Sequence, residues 1–336
     1  MRKCFVEIAL KANSPHLIAN DFFIFGKHLM TPHSLPKVYF TFALVILLWG
    51  INWPVNKIGM EYMPAIWHAA LRIGIACLSI FLFVFFTGKL KLPSKKDLPI
   101  IFTIGILQMG LFILLINLGL YYVEAGRSAI LVYTTPLWVM PIATLFFNEK
   151  MTRLKGIGFI LGMLGILILL DPWNMNFSSS STWYGYGFLL LAALSLAVAI
   201  CAARNMSWTN PPLVLLPWQL LVGAIPLIIC AALMHPSPGI QWNSTSITAM
   251  AYTGILATAV GNWAATSVSR SLPSITVSIG FLGVPLCGVL SAAWMLDEAI
   301  TLSIKLAMLF IFGGLLCVAM SAKPKGATKA LSEQTP

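Results

Sequence analysis

Long apolar runs constrain this chain more than any other feature. Ten of them fall at 38–57, 64–87, 98–122, 128–147, 154–171, 184–203, 211–234, 246–268, 274–296 and 303–321. A helix needs about 20 mostly apolar residues to cross a bilayer core. Lipid gives backbone N–H and C=O groups no partner, so only helices and closed barrels span it. These runs are continuous rather than alternating, which selects helices. Only 9% of the residues are charged, against roughly 25% in soluble domains. The expected fold class is all-α, a polytopic membrane protein with ten transmembrane helices.

The formal net charge of +11 invites a nucleic-acid reading, but the positive residues form short clusters between apolar runs. Alternate gaps gather Lys37, Lys89, Lys91, Lys95, Lys96, Lys150, Arg153, Lys155, Arg204 and Arg270 on one side, with the tails. The other side receives Lys57, Arg127 and Lys305. This is the positive-inside asymmetry of a membrane protein. It places both termini in the cytoplasm of a multi-pass protein of the cell (inner) membrane and leaves no role for nucleic acid. Residues 1–37 and 323–336 read as cytoplasmic tails. The first has no clean apolar segment before a cleavage site, and Met1 and Met30 both remain possible starts. Cys77, Cys201, Cys230, Cys287 and Cys317 lie within apolar runs and no CxxC occurs. Neither disulfide, metal nor cofactor is expected.

The phrase "TTPLWVMPIATLFFNEKMT" (134–152) returns as "GVPLCGVLSAAWMLDEAIT" (283–301). Pro136 matches Pro285, Leu137 Leu286, Ala143 Ala292, Glu149 Glu298 and Thr152 Thr301, always 149 residues apart. That interval holds five spans, an odd number, so the second copy enters the membrane from the opposite side. The chain therefore divides into two inverted five-helix repeats, 38–173 and 184–322. Secondary transporters with a midplane site are commonly built this way, although a duplicated scaffold would leave the same echo.

Polar residues inside the spans are the site candidates. Trp49, Asn52, Trp53 and Asn56 share one face of the first span. An amide facing lipid would be unsatisfied, so this face looks into protein or a wet cavity, as helix–helix glue or as cavity lining. Pro54 frees a carbonyl nearby. Arg72 lies deep in the second span, one turn from His68. It is either an anchor for a substrate anion or half of a structural ion pair with Glu61 or Glu124. Gln108, Asn117 and Tyr121 mark the third span, Trp218 and Gln219 the seventh. Thr258, Asn262 and Thr266 recur every four residues in the eighth, beside Trp263. No acidic residue sits in mid-span, so no carboxylate relay is visible. Pro136 and Pro285 are kink or gating candidates in the fourth and ninth spans. Glu149 and Glu298 read as end-caps or gate contacts.

The stretches "MPAIWHAALRIGIA" (63–76) and "LGLYYVEAGRSAILVYTTPLWVMPIATLFFNEKMT" (118–152), with the return of the second pattern over 263–316, resemble the EamA family of the drug/metabolite transporter superfamily. The resemblance covers about 41–322. It implies ten helices in two inverted repeats, a central cavity with alternating access, and transport of small metabolites, commonly export of amino acids or related compounds. The family-like positions are Arg72, Pro136, Glu149, Pro285 and Glu298. The halves have diverged: Leu221 stands where the repeat places a counterpart of Arg72, and Ser274 and Ile275 where the first half has Ala125 and Gly126. The expected function is export of an amino-acid-like or other amphipathic solute by a secondary transporter, not an enzyme. Its rivals are a membrane-embedded lipid-modifying enzyme and a non-transporting scaffold.

Overall fold

The computed structural model describes residues 35–147, 151–171, 180–237 and 239–321. Glu149, most of both tails and the question of Met1 or Met30 lie outside the described residues. Helix α1 is Leu35–Met60 and α2 is Ala65–Phe86; α3 is Leu98–Tyr122, with Ile104–Leu111 wound as a π-helix. Helix α4 comprises Ala125–Val132 and Thr135–Phe147, and α5 is Arg153–Leu170. Helix α6 is Ser180–Asn205 and α7 is Pro212–Met234. Ser244–Ala251, Tyr252–Val260 (again π) and Gly261–Ser271 run on as α8. Ser274–Gly280 and Gly283–Leu296 form α9, and Leu302–Met320 is α10.

Among the described residues, nine helices are long and apolar enough to cross a membrane. The tenth stretch, α8, matches them in length but carries "GNWAATSVSRS" in its last part, which lowers its hydropathy. A helix facing other helices or a wet cavity needs less apolar surface than one facing lipid.

The two halves repeat one another in detail. The π segments begin at Ile104 and Tyr252, and α4 and α9 both break, at Tyr133–Thr134 and at Phe281–Leu282. Each break stands just before the duplicated proline. Pro136 and Pro285 thus enter the first turn of the following segment, where the missing N–H costs no helical bond. Thr152 and Thr301 are both N-caps, accepting from Lys155 N and Ile304 N. Each satisfies one of the donors left free at a helix start.

Packing follows the same symmetry. Helix α5 lies on α10, α2 on α7 and α4 on α9. Helix α1 packs on α9 and α8, as α6 packs on α4 and α3; α2 meets the π segment of α8, as α7 meets that of α3. Swapping the halves returns the same set of partnerships. One buried apolar cluster joins α4, α5 and α10 around Leu137, Leu169 and Ile311. Another joins α2, α3 and α7 around Ile73, Met109 and Leu220. Helix α1 runs through Pro54 without a break. The proline denies a donor to the Gly50 carbonyl, and Ser291 Oγ of α9 reaches that oxygen at 3.4 Å.

Candidate functional site

The ends of the bundle differ. At the basic end, where Lys89–Lys96 lie, Asp97 stands at the start of α3 and is fully buried. Its carboxylate accepts from the backbone N–H of Ser94 and Thr209, from both their hydroxyls, and from Asn210 Nδ2 at 2.7 Å. Burial alone would raise its pKa, but these hydrogen bonds outweigh it and hold the carboxyl well below the usual carboxylate range. One acid thus ties the α2–α3 loop to the α6–α7 loop.

Beside this tie a cavity of about 220 Å³ opens at the basic end between α3, α6, α7 and α8. That is under the ~300–1,000 Å³ of clefts for drug-sized ligands, so it suits a smaller solute. Its polar lining comes from Gln108, Gln219, Asn262, Thr266, Ser267 and Arg270. Trp208, Trp263, Met109, Leu213 and Leu216 supply apolar surface. Gln108 belongs to the π segment of α3. A π turn inserts one extra residue and displaces the side chains after it, a distortion frequent at functional sites.

At the opposite end the halves are tied together. The Glu298 carboxylate accepts from Ala125 N at 2.6 Å and Gly126 N at 2.8 Å, holding the end of α9 on the first turn of α4. Gln241 N also crosses between the halves, donating to the Tyr62 carbonyl at 2.9 Å, while within the first half Lys57 Nζ donates to the Val123 carbonyl at 2.7 Å.

A second set of buried polar groups lies nearer that opposite end, on the first turns of α2 and the last turns of α1 and α3. Arg72 is 5% exposed and its Nε donates to Thr258 Oγ1 at 2.8 Å, within the π segment of α8. His68 Nδ1 lies 2.9 Å from Asn117 Oδ1, and Asn117 Nδ2 donates to the Ile113 carbonyl. Asn52 Oδ1, both amide atoms of Asn56, His68 Nε2 and one terminal nitrogen of Arg72 are buried without a protein partner among the described residues. Glu124 pairs with Arg127 at 3.1 Å, and Glu61 is exposed at the helix end. Neither forms the ion pair with Arg72 that the sequence left open.

The candidates from sequence therefore separate. Gln108, Gln219, Asn262 and Trp263 line the basic-end cavity. Asn52 and Asn56 of α1 and Arg72 of α2 are buried and lie outside its lining. Trp49 is wedged between helices: its Nε1 donates to the Ala257 carbonyl at 2.9 Å and its ring stacks on Phe281. Gly261 leaves it room, since a Cβ there would fall 2.5 Å from the indole nitrogen. Trp53 packs on Gly288 of α9. Trp218 turns to the loop beside the cavity, donating to the Lys91 carbonyl at 3.1 Å and meeting Phe81 edge-on. Pro136 is exposed and Pro285 buried. The sequence reading missed Trp208 and Arg270. Arg270 carried a signal: it extends the four-residue spacing of Thr258, Asn262 and Thr266, but was counted only toward the charge bias.

Comparison with known proteins agrees with this architecture. A protein of Bacillus subtilis named "Uncharacterized transporter YoaV" is 28% identical over 284 residues, covering 83% of this chain and 95% of its own. An Escherichia coli protein named "Probable amino-acid metabolite efflux pump" is 27% identical, covering 77% of this chain and 86% of its own. A solved crystal structure shares the fold with a TM-score of 0.59 at 17% identity, covering 86% of this chain and 99% of that one. The pattern of the EamA-like transporter family matches twice, over residues 36–171 and 183–320. The chain is a multi-pass membrane protein, and it belongs to the EamA-like transporter family.

Proposed function

We propose that this protein is a secondary transporter that exports a small metabolite by alternating access, working as two inverted halves that rock against each other. The observation that carries the reading is the contrast between the ends: a polar and aromatic cavity at the basic end, and Glu298 holding α9 to α4 at the other. The charge asymmetry makes the basic end cytoplasmic, so this form accepts solute from the cytoplasm. Release on the far side requires the Glu298 contact to part while the halves close around Gln108, Gln219 and Asn262. The relatives named as efflux pumps support export. Pro136 and Pro285, at the broken fourth and ninth helices, are the joints about which the segments turn.

The experiment is flux in proteoliposomes. Purified protein is reconstituted and preloaded vesicles are offered labelled metabolites of several classes. Saturable exchange of at least one class, lost in Gln219→Leu with Asn262→Leu, supports the reading. Failure of every class in both directions, with protein shown to be folded and inserted, overturns it.

A further inference from the structure

Two arginines and the stripe of α8 between them bear on the charge of the solute. Arg270, Thr266, Asn262 and Thr258 follow at four-residue intervals, so each neighbours the next in a stripe that winds slowly around the helix. Asn262 Nδ2 donates to the Thr258 carbonyl at 2.7 Å, Thr266 Oγ1 donates to the Asn262 carbonyl at 2.8 Å, and Thr258 Oγ1 accepts from Arg72. Asn262, Thr266 and Arg270 line the cavity. Thr258 and Arg72 are buried beyond the cavity lining, so the stripe runs from the exposed Arg270 through the cavity wall to the residue that holds the buried guanidinium. From Arg270 to Thr258 is twelve residues, about 18 Å at 1.5 Å per residue.

No acid accompanies it. Among the described residues, Arg270 is the one charged side chain of the cavity lining. Of the described acids, Asp97 is enclosed by Ser94, Thr209 and Asn210, Glu124 pairs with Arg127, and Glu298 caps α4. Asp171 accepts from Ser303, and Glu61 and Asp297 are exposed beyond the ends of α1 and α9. A buried guanidinium facing a neutral hydroxyl, with one terminal nitrogen unpartnered, is costly in a membrane and marks functional sites there. A bound anion supplies the missing charge and accepts the free N–H. An ammonium would meet two like charges and no carboxylate.

Resting on the transport reading above, we propose that the solute is a small monoanion with an apolar body. Its carboxylate or equivalent oxyanion is drawn in by Arg270 while Trp208 and Trp263 cover its apolar part at the cavity, and passes inward to Arg72 when the halves rearrange. Amines and other cations are excluded by the same field.

The test uses matched solutes that differ only in charge: 3-phenylpropionate, 3-phenylpropionamide, 3-phenylpropylamine and phenylalanine, with butyrate, butyramide, butylamine and 2-aminobutyrate as a shorter set. Purified full-length protein is assayed for a shift in thermal unfolding and, in proteoliposomes, for counterflow. The carboxylates are expected to stabilise and move; the amides and amines are not. Arg72→Gln abolishes the carboxylate shift and Arg72→Lys retains part of it. Arg270→Gln, at an exposed position that leaves folding intact, weakens apparent affinity about three- to tenfold at low salt and converges on the unsubstituted protein at high salt. Equal binding of amine and carboxylate, or an Arg72→Gln protein that binds carboxylate normally, overturns the proposal. Transport of another solute class, with no carboxylate binding, sinks the anion assignment and leaves the transport reading standing. Arg72-dependent carboxylate binding without flux of any solute does the reverse.

Discussion

The carboxylate of Glu298 sits 2.8 Å from the backbone nitrogen of Gly126 and closer still to that of Ala125. An acid from the end of one repeat's fourth helix thus caps the start of the other's. Two charge-assisted bonds to free N–H groups at a helix start combine a cap with a favourable dipole interaction. A hydrogen bond to a charged group contributes about 1.5–3 kcal/mol. Glu298→Ala should loosen this end, and Glu298→Gln, which keeps one acceptor, less so. The reporter is Ser128→Cys, at a buried position one turn along α4. Its labelling by a membrane-impermeant maleimide from the far side should rise about tenfold or more in Glu298→Ala, since 1.4 kcal/mol is a factor of ten. Unchanged labelling would show that this contact does not hold the end closed.

Helices α5 and α10 cross where Gly158 and Gly314 face each other. A Cβ on Gly314 would lie 2.5 Å from the Gly158 carbonyl, and one on Gly158 would lie 2.6 Å from the Gly314 carbonyl. The obstacle is backbone, so no rotamer change relieves it. Gly314→Ala should push the helices apart and cost about 1–3 kcal/mol, read as a lower melting temperature in detergent. Gly313→Ala is the control, because a Cβ there meets nothing within 4 Å, and it should be neutral or slightly stabilising.

The apolar runs, the side with the lysines and the duplicated phrase around Pro136 and Pro285 were all legible in the sequence, because membrane insertion acts on local composition. The repeat paired Thr152 with Thr301 and Pro136 with Pro285, but that the threonines cap helices and that each helix breaks ahead of its proline, rather than kinking at it, came only with the structure. The π segments were not legible, because the winding of Ile104–Leu111 depends on how α6 and α7 lie against it. For the same reason Trp49 looked like a cavity wall. Its place is set by Gly261 on a helix two hundred residues away, which no local spacing reveals. Arg72 was visible as an intramembrane charge, but its partner was not: a threonine of α8, rather than a glutamate near the helix ends. The cavity itself is a gap between packed helices. Sequence named Gln108, Gln219, Asn262, Trp263 and Thr266 of its lining and could not say that Trp208 and Arg270 join them.

Asp97 makes a pH prediction. Its carboxyl is held below the ordinary value by bonds from Thr209, Ser94 and Asn210 that only the folded state provides. A depressed folded pKa contributes stability that is complete above the unfolded value, roughly 4, and is lost as pH falls through the folded value. Unfolding temperature in detergent should therefore decline below about pH 4. Asp97→Asn keeps much of the shape but no charge, so it should be less stable at pH 7 and show a flatter acid limb. An acid limb as steep as that of the unsubstituted protein would locate the titration elsewhere.

Asn56 is fully buried, and neither amide atom has a protein partner among the described residues. It lies on the face of α1 that runs from Trp49, bonded to α8, to Gly59, set against His68 Nε2. An unsatisfied buried amide costs about 1–3 kcal/mol, so its retention signals a use other than rigidity. Asn56→Leu fills nearly the same volume with apolar atoms and should raise detergent stability by that order. If the amide receives solute, the same substitution should lower flux about tenfold or more while the protein inserts normally, a gain in stability at the expense of function. Asn52→Leu, one turn away with one unpartnered oxygen, should follow with a smaller effect on both measurements. The opposite pattern, lower stability with unchanged flux, would make this face of α1 helix–helix glue and remove it from the solute path.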